Sequence, residues 1–213
     1  MNGLLKKDLI TFKKAKFSSK FFELIPAAVF LIAWQGKGAI LLGSLVLPFL
    51  AMFSPFYLST LDEQWKWDKY AISLPVSKKQ IVASRYLASC SIITIYFLFS
   101  LVLNIGAYYW FQEHSISIHL ASALIGLGVS LFFVFLLLPT NYTIGNEASS
   151  VAMIILMVLT VVAVNFLRKT DIDILSLAAT TPQMLFLIST AFLMMLFVVS
   201  YLISVNMYHK KHS

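Results

Sequence analysis

Charge is scarce in this chain. Asp, Glu, Lys and Arg make up 12% of its 213 residues, while 60% are apolar. A soluble domain carries about 25% charged and about 45–50% apolar residues. A single soluble domain of this length could not hide that much apolar surface, so the excess must face lipid. The apolar share is enough for six membrane spans of about 20 residues each, with little to spare. Cysteine is scarcer still. Cys90 is the single one and sits in an apolar run, which excludes an intramolecular disulfide and a secreted disulfide scaffold. It reads as a buried, inert thiol.

Further absences exclude further functions. No Gly-x-x-x-x-Gly-Lys-(Ser/Thr) occurs, so the chain has no P-loop. Its longest polar stretch, 61–85, is far too short for a nucleotide-binding domain. No Gly-x-Ser-x-Gly is found. His114, His119, His209 and His212 lack the Cys, Asp or Glu neighbours that would complete a metal set. Glu23 lies at the edge of the first span and Glu147 just before the fifth, and neither is at a midplane. A proton-coupled carrier normally needs acids within the membrane. The amino-terminal stretch does not read as a cleavable signal sequence, because lysines continue to Lys20 and span then follows span.

What is present is hydrophobic, in blocks. Spans are expected at about 21–35, 39–61, 86–111, 118–139, 149–167 and 183–207. A tight Gly36-Lys37-Gly38 turn joins the first two. The fold class is all-α, an integral membrane protein with six transmembrane helices. Residues 1–20 precede them and carry six lysines and one acid. On a helix, Met1, Leu4, Leu5, Leu9 and Phe12 share an arc of about 140°, with most lysines opposite. Asp8, Ile10, Lys16 and Phe17 break that pattern. Such a helix should lie in the headgroup layer with its apolar face down and its lysines toward anionic lipid. Domain organisation follows as an interfacial helix at 1–20 and a single six-span transmembrane domain at 21–213.

Orientation follows from the basic residues. With the amino terminus inside, thirteen lysines and arginines lie in inner segments and three in outer ones. Both termini are therefore predicted to be cytoplasmic. The net charge of +7 is then an inner-face excess and not a nucleic-acid footprint. Trp34 and Trp110 fall at predicted outer edges, and Trp65 and Trp67 near an inner edge, as amphipathic rings prefer.

The inner segment 62–85 holds eight of the charged residues. Residues 63–73 can form a short helix with Trp67, Tyr70, Ala71 and Leu74 on one face. Leu74-Pro75 stops it, because a residue before proline is pushed out of the helical region. A new helix then begins. Ser77 suits the N-cap, Gln80 closes a capping box, and Val76 and Ile81 occupy the hydrophobic-staple positions. A helix from Ser77 to Phe111 would run about 52 Å and exceed the bilayer core by about four turns. A short helix, a proline corner and a projecting helix make a shape for docking onto a soluble partner.

These residues carry a resemblance. Asp62-Glu63, Trp67-Asp68-Lys69-Tyr70, the run Ser73-Leu74-Pro75-Val76-Ser77-Lys78-Lys79-Gln80-Ile81-Val82 and Arg85-Tyr86-Leu87 resemble the loop between spans two and three of ABC-2 type transporter permeases. The segment is most similar to small bacterial permeases that export bacteriocins, lantibiotics and phenol-soluble modulins. Pro139, Tyr142, Gly145, Glu147 and Ala148 resemble that family's turn between spans four and five. There Asn146, Ser149 and Ser150 replace the usual basic residues.

The resemblance implies the permease subunit of an ATP-driven exporter in the cell membrane, and not an enzyme. Its cytoplasmic coupling helix lies between helices two and three. ATP and Mg would sit on a separate cytoplasmic ATPase dimer, and this chain would bind no cofactor. A second permease chain, as a homodimer, would complete the pore, and the cargo would be an amphipathic or antimicrobial peptide. Trp67, Tyr70 and Leu74 would fill the ATPase groove. Asp62, Glu63, Asp68, Lys69, Lys78 and Arg85 would orient it, and Pro75 and Ser77 would hold the corner. A motor-free channel or secondary carrier, and a membrane assembly or scaffold protein, are the alternatives.

Overall fold

The computed structural model describes residues 2–14, 53–111, 116–169 and 182–211. The first predicted span, the Gly36-Lys37-Gly38 turn and the start of the second span lie outside the described residues. Among those described, the regular structure is all helical. The helices are α1 (Asn2–Lys14), α2 (Ser54–Gln64), α3 (Trp67–Ser73), α4 (Lys78–Phe111), α5 (Ile116–Lys169) and α6 (Pro182–Lys211). They fall into two compact units, Met1–Val134 and Phe135–Ser213, with α5 contributing to each.

Three stretches are long and apolar enough to cross a membrane: Lys78–Gly106, His119–Gly145 and Phe186–Lys211. They lie where the sequence places its third, fourth and sixth spans. The predicted fifth span falls on the far part of α5. The predicted second span ends in α2, which runs on to Gln64.

The burial pattern of α4 is that of a helix in lipid. Ser89, Ser100 and Asn104 are buried, whereas Ile95 is 61% and Val102 65% exposed. Ile92, Ile93 and Tyr96 are buried beside them, so the inner face is mixed, and the large apolar side chains left outside suit contact with lipid. In a bilayer, small and polar side chains turn inward, where they pack closely and find partners. Asn104 donates to the Ser100 carbonyl at 2.9 Å, and Ser89 to the Arg85 carbonyl at 2.9 Å. Cys90 is half-buried on the same helix. On α5, Gly126 and Ser130 are buried, and Ser130 donates to the Gly126 carbonyl at 2.8 Å. Ala123, Gly126 and Ser130 thus make a buried stripe of small residues on α5.

In place of the inner loop between spans four and five, α5 continues as helix with one break at Gly145 (φ 82, ψ 174). Thr140 Oγ1 and Ser149 Oγ lie 2.6 Å apart across that break. Nine residues of straight helix would separate their levels by about 13.5 Å. The far arm must therefore turn sharply beside the near one. Positive φ is readily available to glycine, which lets a single residue make the elbow.

Candidate functional site

Four charged residues of the first unit, Lys7, Asp8, Asp62 and Arg85, converge where α1, α2 and α4 meet. Helix α1 packs on α4 and on α2. Leu4, Asp8 and Thr11 are buried, at helical spacings of three and four residues, with Lys7 half-buried at the edge of the same stripe. Leu5, Leu9 and Phe12 form a neighbouring half-buried stripe, and Lys6, Ile10 and Lys13 are exposed. The protein-facing side is thus turned by about a quarter-turn from the apolar arc in the sequence. Asp8, an exception to that arc, is only 3% exposed.

The reason is an ion ring. Lys7 Nζ lies 2.6 Å from Asp62 Oδ1 and 3.2 Å from Asp8 Oδ1. Arg85 Nη2 donates to Asp62 Oδ2, and Arg85 Nη1 lies 3.6 Å from Asp8 Oδ1. Two cations and two carboxylates alternate around a closed, neutral circuit. Lys7 Nζ also sits 4.1 Å from the centroid of the Trp67 ring. Burying these charges is tolerable only because each has opposite charges on either side. Asp62 and Arg85, expected at a partner's surface, are instead buried and joined to α1. Lys7 and Asp8 were not singled out as site residues. The signal was Asp8 itself, a lone acid misplaced on a lysine-rich amphipathic helix.

The corner is built just beyond the ring. Helix α2 ends at Trp65 and Lys66, and Lys66 adopts left-handed backbone angles (φ 51, ψ 37). Glu63 and Gln64 therefore belong to α2, and the short helix starts only at Trp67. Leu74 is extended (φ −78, ψ 147), as a residue before proline should be. The capping box forms as the sequence indicates. The Gln80 amide donates to Ser77 Oγ at 3.2 Å, and the Ser77 amide donates to Gln80 Oε1 at 3.0 Å. Helix α4 then runs 34 residues, about 51 Å.

The aromatic face of α3 is split. Ala71 is fully buried and Trp67 half-buried beneath Lys7, while Tyr70 is 65% exposed and Leu74 is exposed beside it. Lys69, Ser73 and Pro75 are exposed too, as is Glu63 on α2. Lys78 is half-buried in the first turn of α4. The side chain of Asp68 lies outside the described residues. The surface turned outward is thus Lys69, Tyr70, Ser73, Leu74 and Pro75, backed by Trp67, Ala71 and the ion ring.

Over residues 3–209 the chain matches the family model described as ABC-2 family transporter protein. The chain belongs to the ABC-2 transporter family. No curated protein and no solved structure matches it. ABC-2 proteins are the membrane subunits of ABC transporters, and they normally work with a cytoplasmic ATPase partner. The apolar outer surface of α4 suits such a subunit.

The second unit of this ABC-2 protein adds a cleft of about 460 Å³ between α5 and α6. Phe135, Leu136, Pro139, Phe192, Met195 and Val199 form its apolar walls. Thr140 and Thr143, also in the lining, donate to the carbonyls of Leu137 and Thr140 at 2.7 and 3.0 Å. Their hydroxyl protons are therefore engaged with backbone.

Proposed function

We propose that this ABC-2 protein is the permease half of an ATP-driven exporter, coupled to a separate ATPase through residues 62–85. The observation that carries the reading is the exposed Tyr70–Leu74 edge of α3, presented at a rigid corner. Large apolar side chains left in contact with water at a fixed turn mark a surface that expects a partner. Lys69 and Glu63 flank the edge and can set its register. Pro75 and Ser77 hold the bend, and Lys78 lies at the foot of the projecting helix. Asp68 completes the charged set on α3. Trp67, Asp62 and Arg85 support the corner from behind. ATP and Mg bind the ATPase dimer, whose closure pushes the corner and tilts α4. A second copy of the chain completes the pore in the cell membrane, with both termini cytoplasmic. The cargo is an amphipathic or antimicrobial peptide, a reading that rests on the resemblance of 62–87 to peptide-exporting permeases.

The test is co-purification. Tyr70→Ala combined with Leu74→Ala removes exposed side chains only, so insertion should be unaffected. Recovery of the ATPase with the permease should fall by about tenfold or more, as loss of a central apolar anchor pair implies. Undiminished recovery would refute the docking surface.

A further inference from the structure

We infer that Lys7 and Asp8 are positioning residues for the coupling corner, clamping the amino-terminal helix to it at two points. The inference rests on the docking role of 62–85 proposed above and adds to it the element that holds the corner in place.

Adjacent residues on a helix point in directions about 100° apart. Lys7 and Asp8 nevertheless both join the ring, Lys7 through Asp62 and Asp8 through Arg85. They straddle the contact line of α1. A single ion pair would leave α1 free to roll about its axis; two pairs on either side of the line stop both rolling and sliding. The acceptors are placed to match. Asp62 lies in the last turn of α2, just before the chain breaks at Trp65 and Lys66. Arg85 lies two turns into α4, past the Ser77 cap. The bond between Asp62 and Arg85 therefore ties the two legs of the corner at its mouth, and α1 adds a third body to the tie.

Stability alone does not call for such a device. Three buried charges and a half-buried lysine stabilise a fold no better than apolar residues of similar volume. Charges in a ring do fix one relative placement, because any slip by one residue brings like charges together. The ring is neutral, so it adds no net charge where α1 meets the membrane. The outward face of α1 carries Lys6 and Lys13, with Leu5, Leu9 and Phe12 at its flank. That face can rest on anionic lipid while the other holds the corner. A push on the corner then moves α4 and does not swing the corner loose.

The test separates positioning from folding. Lys7→Met with Asp8→Asn removes both α1 charges and leaves the Asp62–Arg85 pair balanced. In a Cys90→Ser background, spin labels at Lys13→Cys and Lys69→Cys report the distance between α1 and α3 for the full chain in lipid nanodiscs. The parent should give one narrow distance peak, and the double variant should lose it. With the ATPase added, the unlabelled Lys7→Met/Asp8→Asn variant, with Lys13 and Lys69 intact, should still bind it, but permease-dependent stimulation of hydrolysis should fall about five- to tenfold. Lys7→Arg should retain both behaviours. An unchanged peak overturns the clamp. A broadened peak with full stimulation overturns the positioning role and leaves only a structural one. If the parent itself recovers no ATPase, the docking reading fails, and the label distances still decide the clamp.

Discussion

Asp8 is the single acid among the first 20 residues, beside six lysines. Its burial follows from Arg85, far away in sequence, and from the neighbouring Lys7, itself paired with the distant Asp62. Removing Lys7 alone strands a carboxylate in the ring, so Lys7→Met should cost about 3 kcal/mol. Asp8→Asn alone should cost a similar amount by stranding a cation. The combined variant restores neutrality and should be more stable than either single one, a non-additivity typical of contacting charges. Unfolding midpoints in detergent micelles measure this. A double variant less stable than both singles would contradict the ring. The same residues show how far one sequence can be read. The apolar arc of α1 was legible because helical period is local. The quarter-turn between that arc and the buried stripe was not, because only contact with Asp62 and Arg85 decides it. Trp67 was recognisable as an anchor, but the cation above its ring comes from a residue 60 positions away.

At the level of elements, the corner was legible where its chemistry is local. Ser77 and Gln80 exchange the two hydrogen bonds that their spacing allows. Ser77→Ala should cost about 1 kcal/mol and speed hydrogen exchange at the Gln80 amide, which loses its side-chain acceptor. The Ser77 carbonyl, which also accepts from that amide at 2.9 Å, remains in the variant, so it is an unchanged unfolding midpoint that would mean the cap contributes nothing. The break between α2 and α3 was not legible. Lysine gives no sign of a left-handed conformation, and the sequence suggested one helix from 63 onward. A non-glycine residue there costs roughly 1 kcal/mol, so Lys66→Gly should raise the unfolding midpoint and Lys66→Val, β-branched, should lower it. The elbow in α5 behaves in the opposite sense. Gly145 already has the conformation that suits it, and a Cβ there meets open space but an unfavourable φ. Gly145→Ala should therefore destabilise by about 1–2 kcal/mol through backbone strain alone. Residues 140–148 suggested a loop because they are polar and contain glycine. The structure spends only Gly145 on the turn and keeps its neighbours helical.

For the whole molecule, composition identified the solvent, and the exposed apolar side chains of α4, Ile95, Leu98 and Val102 among them, give the same answer from a different observation. Which way the chain faces is a separate matter that depends on charge. Thirteen basic residues in the inner segments against three in the outer ones predict that residues 62–85 and the carboxyl end of α6 face the cytoplasm. Lys69 and Lys210 are both exposed, so each can be replaced by cysteine without disturbing a core. In a Cys90→Ser background, a membrane-impermeant maleimide should leave both positions unlabelled in intact cells and label both in inside-out vesicles. The result bears directly on function. An ATPase can reach Tyr70 and Leu74 only from the cytoplasm, so labelling of Lys69→Cys in intact cells would remove the docking surface whatever its shape. Labelling of Lys210→Cys alone would instead break the even number of crossings between the two sites and require an odd count. Protection of both sites in cells, with exposure in inverted vesicles, would place the corner on the side where ATP is available and leave a motor-driven permease as the reading that fits.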